Sequence, residues 1–191
     1  MPENVSTTLL FVLMIIVAAI AAAMAAIRQQ ETHARREAEM REAVDLLAVH
    51  AQSLAALDDD AVPPTIAAFA LSVSDLLHDA DDRLATLIAA RIRRTQHERG
   101  TARRPEPDAE SMALMAEFNT LLDERPDLAT AYVKSIVAGI LSFERRYPEC
   151  AGAFGFDLAK LIASPVDEAE FVVRQAKTLR DAWPPAPALA A

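Results

Sequence analysis

The chain has 191 residues, a formal net charge of -9, 52% hydrophobic residues, 11 prolines, four glycines and one cysteine. Those figures exclude a disulfide framework, a collagenous chain and a polar disordered polypeptide. There are 40 alanines and only 5% aromatics, so the strongest helix former is abundant while strand-favouring residues are scarce, and an all-α fold is expected. All basic residues but Lys134, Lys160 and Lys177 are arginine, a bias that fits a GC-rich bacterial genome.

Residues 9–27, LLFVLMIIVAAIAAAMAAI, carry no charge, proline or glycine. At about 1.5 Å of rise per residue, a helix of this length matches the roughly 30 Å hydrocarbon core of a bilayer, so a single N-terminal transmembrane helix is expected. A cleaved secretory signal is the alternative, with A-x-A sites at Ala21-Ala22-Ala23 and Ala23-Met24-Ala25. Against it, MPENVSTT holds no basic residue, and the run exceeds the roughly 7 to 15 residues of a signal core. Only Glu3 is charged ahead of the run, whereas Arg28, Arg35, Arg36 and Arg41 follow it. Arginine resists translocation, which places residues 1–8 outside and the remainder in the cytoplasm, at a bacterial inner membrane. Ala18, Ala22 and Ala26 share a helix face that would allow close approach of a partner helix in lipid.

Residues 28–99 read as a long helical region in two segments with a break near 58–64. In the first segment Met40, Ala43, Leu47, His50, Leu54 and Leu57 recur at alternating three- and four-residue steps. That seam has two readings: a coiled coil giving a homo-oligomer through Met40, Leu47, Leu54 and Leu57, or a helix packing against its own domain. Asp58, Asp59, Asp60 and then Pro63-Pro64 end it. The second segment is expected as one helix from Pro64 to about Arg99. Its apolar stripe is Ile66, Phe69, Ala70, Val73, Leu77, Ala80, Leu84, Leu87, Ile88 and Ile92. Asp75, His78, Asp79 and Asp82 fall opposite, at spacings that invite a metal reading, yet one helix cannot close a coordination sphere and a solvated face accounts for them. No metal and no cofactor are expected.

Residues 91–104, RIRRTQHERGTARR, hold six arginines against one glutamate in an otherwise acidic chain. Arg91, Arg93, Arg94, Arg99, Arg103 and Arg104 are therefore the candidate contact for anionic lipid or a partner, against the plain reading of a helix end and linker. Nucleic acid is disfavoured, because no aromatic is interleaved for base stacking. A linker over 100–108 contains Pro105-Glu106-Pro107.

A C-terminal helical domain is expected over 109–183. Asp108 should cap a helix with Met112, Met115, Leu121 and Leu122 buried. Pro126-Asp127 breaks it. The stretch from Leu128 to Pro148, apolar nearly all round between Ala131 and Phe143 with Lys134 as its one charge there, should be the central helix, buried at Leu128, Tyr132, Ile136, Ile140 and Phe143. CAGAFGF then gives a turn and 157–163 a short helix. Ser164-Pro165-Val166-Asp167 carries a serine cap, a proline at the first helical position and an acid three on, and announces a last helix burying Val172, Val173, Ala176, Leu179 and Trp183. Residues 184–191 form a flexible Pro/Ala tail.

No phosphate-binding glycine loop occurs, the four histidines lie singly without zinc or di-iron spacing, and Glu149 beside Cys150 raises rather than lowers the thiol pKa. No catalytic residue is assigned. The expected function is a non-catalytic, membrane-anchored interaction protein: a scaffold, assembly factor or accessory subunit with protein partners. A tethered sensor signalling through helix packing, with His50 as its pH-sensitive element, and an enzyme with an unrecognised site are the alternatives.

Overall fold

The computed structural model describes residues 3–100, 109–156, 160–161, 164 and 167–183, without the side chains of 3–13, 15, 16, 19, 96 and 98–100. The fold is all-α, with no strand among the described residues. Six helices are described: α1 (Glu3–Ala55), α2 (Pro64–His78), α3 (Asp82–Gly100), α4 (Ala109–Glu124), α5 (Pro126–Arg146) and α6 (Ala169–Ala182), with a 3-10 turn at Pro148–Cys150. The expected linker 101–108, the Asp108 cap, most of the helix expected over 157–163 and the tail 184–191 lie outside the described residues.

Met1–Arg41 and Glu42–Ala191 are two compact units. The first is a stretch of α1 steadied by its own charges, with Arg41 3.4 Å from Glu37 and Arg36 3.5 Å from Glu39. The run 9–27 lies within this helix, but several of its side chains lie outside the described residues; among those described, no helix is long and apolar enough to cross a membrane.

The second unit is organised around α5. Leu128, Tyr132, Ile136, Ile140 and Phe143 are all buried, and α2, α4, α6 and the 3-10 turn pack against the helix that carries them. A helix apolar on nearly every side has to be surrounded, and this one is. One apolar cluster runs from Leu57 and Ile92 through to Ala182, so helices on both sides of 101–108 share a core. Residues 109–183 are thus not a separate domain: α2 and α3 each bury one apolar face, and α5, α6 and the 3-10 turn supply the cover.

Three further expectations are corrected. The helix expected from Pro64 to about Arg99 is broken at 79–81, because the Asp81 carboxylate accepts the Leu84 N–H at 2.7 Å and so starts a new helix. The break resets the phase of the stripe: Ala85, Ile88, Ala89 and Ile92 are buried, while Leu87 is 47% exposed. In α4 the buried line is Leu114, Phe118 and Leu121 rather than one through Met112, which is 57% exposed. Phe118, 1% exposed, marks that register, its ring packed at a tilt against that of Tyr132 with centroids 5.8 Å apart. Finally, α6 begins at Ala169 with Glu168 in the cap position and no side-chain cap bond, four residues after Pro165. The Ser164 N–H is instead bonded to the Lys160 carbonyl at 2.8 Å. The buried line of α6, Val172, Val173, Ala176 and Leu179, is as expected, and Trp183 packs partly buried against the cluster.

The seam on α1 divides. Leu57 is in the core, Leu54 packs against it, Ala43 and His50 are buried, and Met40 is 40% exposed. Leu54 and Leu57 are therefore taken up by the chain's own core, to which Met40 and Leu47 do not belong.

Candidate functional site

The arginine run is only partly described: Arg91, Arg93 and Arg94 have described side chains, Arg99 does not, and Arg103 and Arg104 lie outside the described residues. Arg91 donates from Nη1 to the carbonyl of Ala182 at 3.2 Å, the last residue of α6, where unpaired carbonyls and the helix dipole favour a cation. Arg93 donates from Nη2 to the carbonyl of Glu149 in the 3-10 turn. Both arginines are exposed, yet each ties α3 to a neighbouring element. Between α3 and α6 lies a cavity of about 360 Å³ lined by Arg91, Ile92, Arg94, Thr95, Thr178, Asp181 and Ala182. Asp181 puts a carboxylate among the arginines, so the mouth is of mixed charge. The structure brings Arg91 and Arg94 together at this cavity, and Arg93 is bonded to the 3-10 turn.

Asp75, His78, Asp79 and Asp82 are all exposed, with Asp82 already on α3, across the break. Among the described residues no group of three histidine, cysteine or acidic side chains could hold a metal ion. Cys150 is buried, its thiol donating to the Ala85 carbonyl at 3.4 Å. Burial, then the charges of Glu149 and Glu144, push the thiol up to about 11, so it is protonated at neutral pH and a poor nucleophile.

The other concentration of buried polar groups is where α1, α2 and α5 meet. His50 is 2% exposed. Its Nδ1 lies 2.7 Å from the carbonyl oxygen of Ser135, and its Nε2 lies 3.0 Å from Ser74 Oγ. A carbonyl can only accept, so Nδ1 carries the proton; in the neutral ring Nε2 then accepts from the Ser74 hydroxyl, and both ring nitrogens are bonded. Burial holds its pKa below the ordinary histidine value; the bond to Ser135 works against that shift, and the charge of His78 adds to it. Gly139 makes room for the ring: a Cβ there would stand 2.6 Å from Leu77 Cδ1 and 3.0 Å from His50 Nδ1.

The seam periodicity located His50 on the inner face of α1, but its partners were not legible. Ser74 is 24 positions away and Ser135 is 85, and neither serine stands out in a helical stretch. Gly139 was the available signal, since a glycine inside an apolar helix costs about 1 kcal/mol against alanine and marks a close approach. No protein-family model, curated protein or solved structure matches the chain.

Proposed function

We propose that this chain is a non-catalytic interaction protein anchored by a single transmembrane helix in a bacterial inner membrane, with residues 1–8 outside and the helical domain offered to protein partners in the cytoplasm as a scaffold, assembly factor or accessory subunit. The observation that carries the proposal is the run 9–27, without charge, proline or glycine, inside the unbroken helix α1. Within that run Met14, Val17, Ile20, Met24 and Ile27 are each more than half exposed, apolar side chains that only a bilayer or another protein would cover. Arg28, Arg35, Arg36 and Arg41 support the orientation. Arg91 and Arg93 are engaged in the domain's own packing, and the proposal asks no role of the run 91–104. A sensor working through helix packing is the second reading, favoured by the buried His50 junction.

The test is topological. The full chain should pellet with membranes, resist carbonate extraction and carry a C-terminal reporter active in the cytoplasm. Extraction by carbonate, a mature chain beginning near Ala26, or a reporter active only in the periplasm overturns it.

A further inference from the structure

Residues 42–55, the part of α1 inside the compact unit, are held differently from the helices around them. α2 to α6 interlock through the apolar cluster, to which 42–55 add only the half-buried Leu54. Outside that cluster Ala43 is buried and Leu46 and Leu47 are partly so, and the bonds that tie the stretch to its neighbours are polar. Arg145 Nε lies 3.0 Å from Glu42, Ser142 Oγ donates to the Ala43 carbonyl at 2.9 Å, and His50 reaches Ser135 on α5 and Ser74 on α2. The pairings 42 with 145, 43 with 142 and 50 with 135 run antiparallel along α5. The pair of Glu42 and Arg145 is half exposed and of little worth in water, and the serine bond is a single neutral one. His50 is the one fully buried side chain of the stretch that is bonded to two other helices.

We propose that His50 is a proton-sensitive latch that holds residues 42–55 against α2 and α5, and that protonating its ring frees this stretch while α2 to α6 stay packed. The junction suits a neutral ring. A second ring proton, on Nε2, would oblige the Ser74 hydroxyl to accept, so that its own proton needs a new partner, and would place a cation where no water reaches it. The charged groups on the packed elements give no relief. On α1, Glu42 is committed to Arg145 and Asp45 is exposed; on α2, Asp75 and His78 are exposed; on α5, Lys134 is exposed, and Glu144, Arg145 and Arg146 lie at its far end. Of all these only His78 acts on the ring, and its charge opposes a second one nearby. Once freed, the ring regains water and titrates near the ordinary value of about 6.5. The latched ring titrates lower, so the latch is fully closed above that value and opens as pH falls. Between pH 7.5 and pH 5 the ratio of freed to latched molecules rises by up to about thirtyfold. The latch lies wholly within the compact unit, so it stands whether or not residues 9–27 enter a membrane.

Hydrogen exchange followed by mass spectrometry on the full chain in detergent, at pH 7.5 and pH 5.0 with rates corrected for intrinsic pH dependence, tests this. Peptides covering 42–55 should lose protection about tenfold or more at pH 5.0, while those covering 128–143 of α5 keep theirs. His50→Gln should abolish the pH response, and His78→Gln should retain it. Unchanged protection of 42–55 at pH 5.0, equal loss along α5, or the same response in His50→Gln overturns the latch. Should His50→Gln fail to fold, the His50 ring titration in the wild-type chain, followed by nuclear magnetic resonance, must share its midpoint with the loss of protection. A different midpoint is equally fatal.

Discussion

Tyr147 donates its hydroxyl to the carbonyl of Ala80, 67 residues earlier, across the gap where α2 ends and α3 begins. Arg146 reaches the carbonyl of Leu77 at 3.4 Å beside it, so the end of α5 takes up carbonyls that the break leaves without helical partners. Tyr147→Phe keeps the ring, which lies 5.0 Å from that of Phe143, but leaves a buried carbonyl unpaired. The expected cost is about 1–3 kcal/mol. Tyr132 makes the contrast, for its hydroxyl is buried with no hydrogen-bond partner among the described residues, and Tyr132→Phe should leave stability unchanged or raise it. Denaturant midpoints of both variants in the full chain decide; equal losses would mean that the Ala80 bond carries no special weight.

Gly139→Ala sets two effects against each other. Alanine is worth about 1 kcal/mol over glycine inside a helix, but the new methyl meets Leu77, 2% exposed, and the doubly bonded His50 ring. Overpacking typically costs about 1–3 kcal/mol where neighbours cannot yield, so a net loss is expected. A thermal melt at pH 7.5 that matches or exceeds wild type would show that the junction yields.

Ile136→Asp should unfold the domain and Met112→Asp should not. Ile136 is 1% exposed and Met112 is 57% exposed. An unpaired carboxylate in the core costs several kcal/mol, a large part of the roughly 5–15 kcal/mol that holds an ordinary domain together. Circular dichroism of the two variants separates these outcomes, and a folded Ile136→Asp protein would mean that α5 is not central to the core.

Cys150 should react slowly in the native state. Its thiol is buried and titrates near 11, so maleimide at pH 7.5 should label it far more slowly than in the denatured chain, with labelling limited by unfolding. Rapid native labelling would place Cys150 at the surface.

The sequence by itself determined the helical class, the central place of α5 and the inner face of α6. Each rests on a property carried by consecutive residues: alanine content, an apolar stretch too complete to remain wet, and a stripe at helical spacing. The α1 seam shows where that kind of reading ends. Its period placed Ala43, His50 and Leu57 on one face, but a period cannot say whether that face meets a second copy or the chain's own helices. The tertiary structure decided for the latter by bringing up Ser74, Ser135 and Gly139 from segments far apart in the chain. The break at 79–81 belongs to the same class. An Asp81 cap competes with continuation of the stripe, and what favours the break is the pair of donors Tyr147 and Arg146 arriving from α5. Periodicity is local and is read along the chain. The partners of a buried polar group are fixed by packing between helices, which only the folded chain specifies.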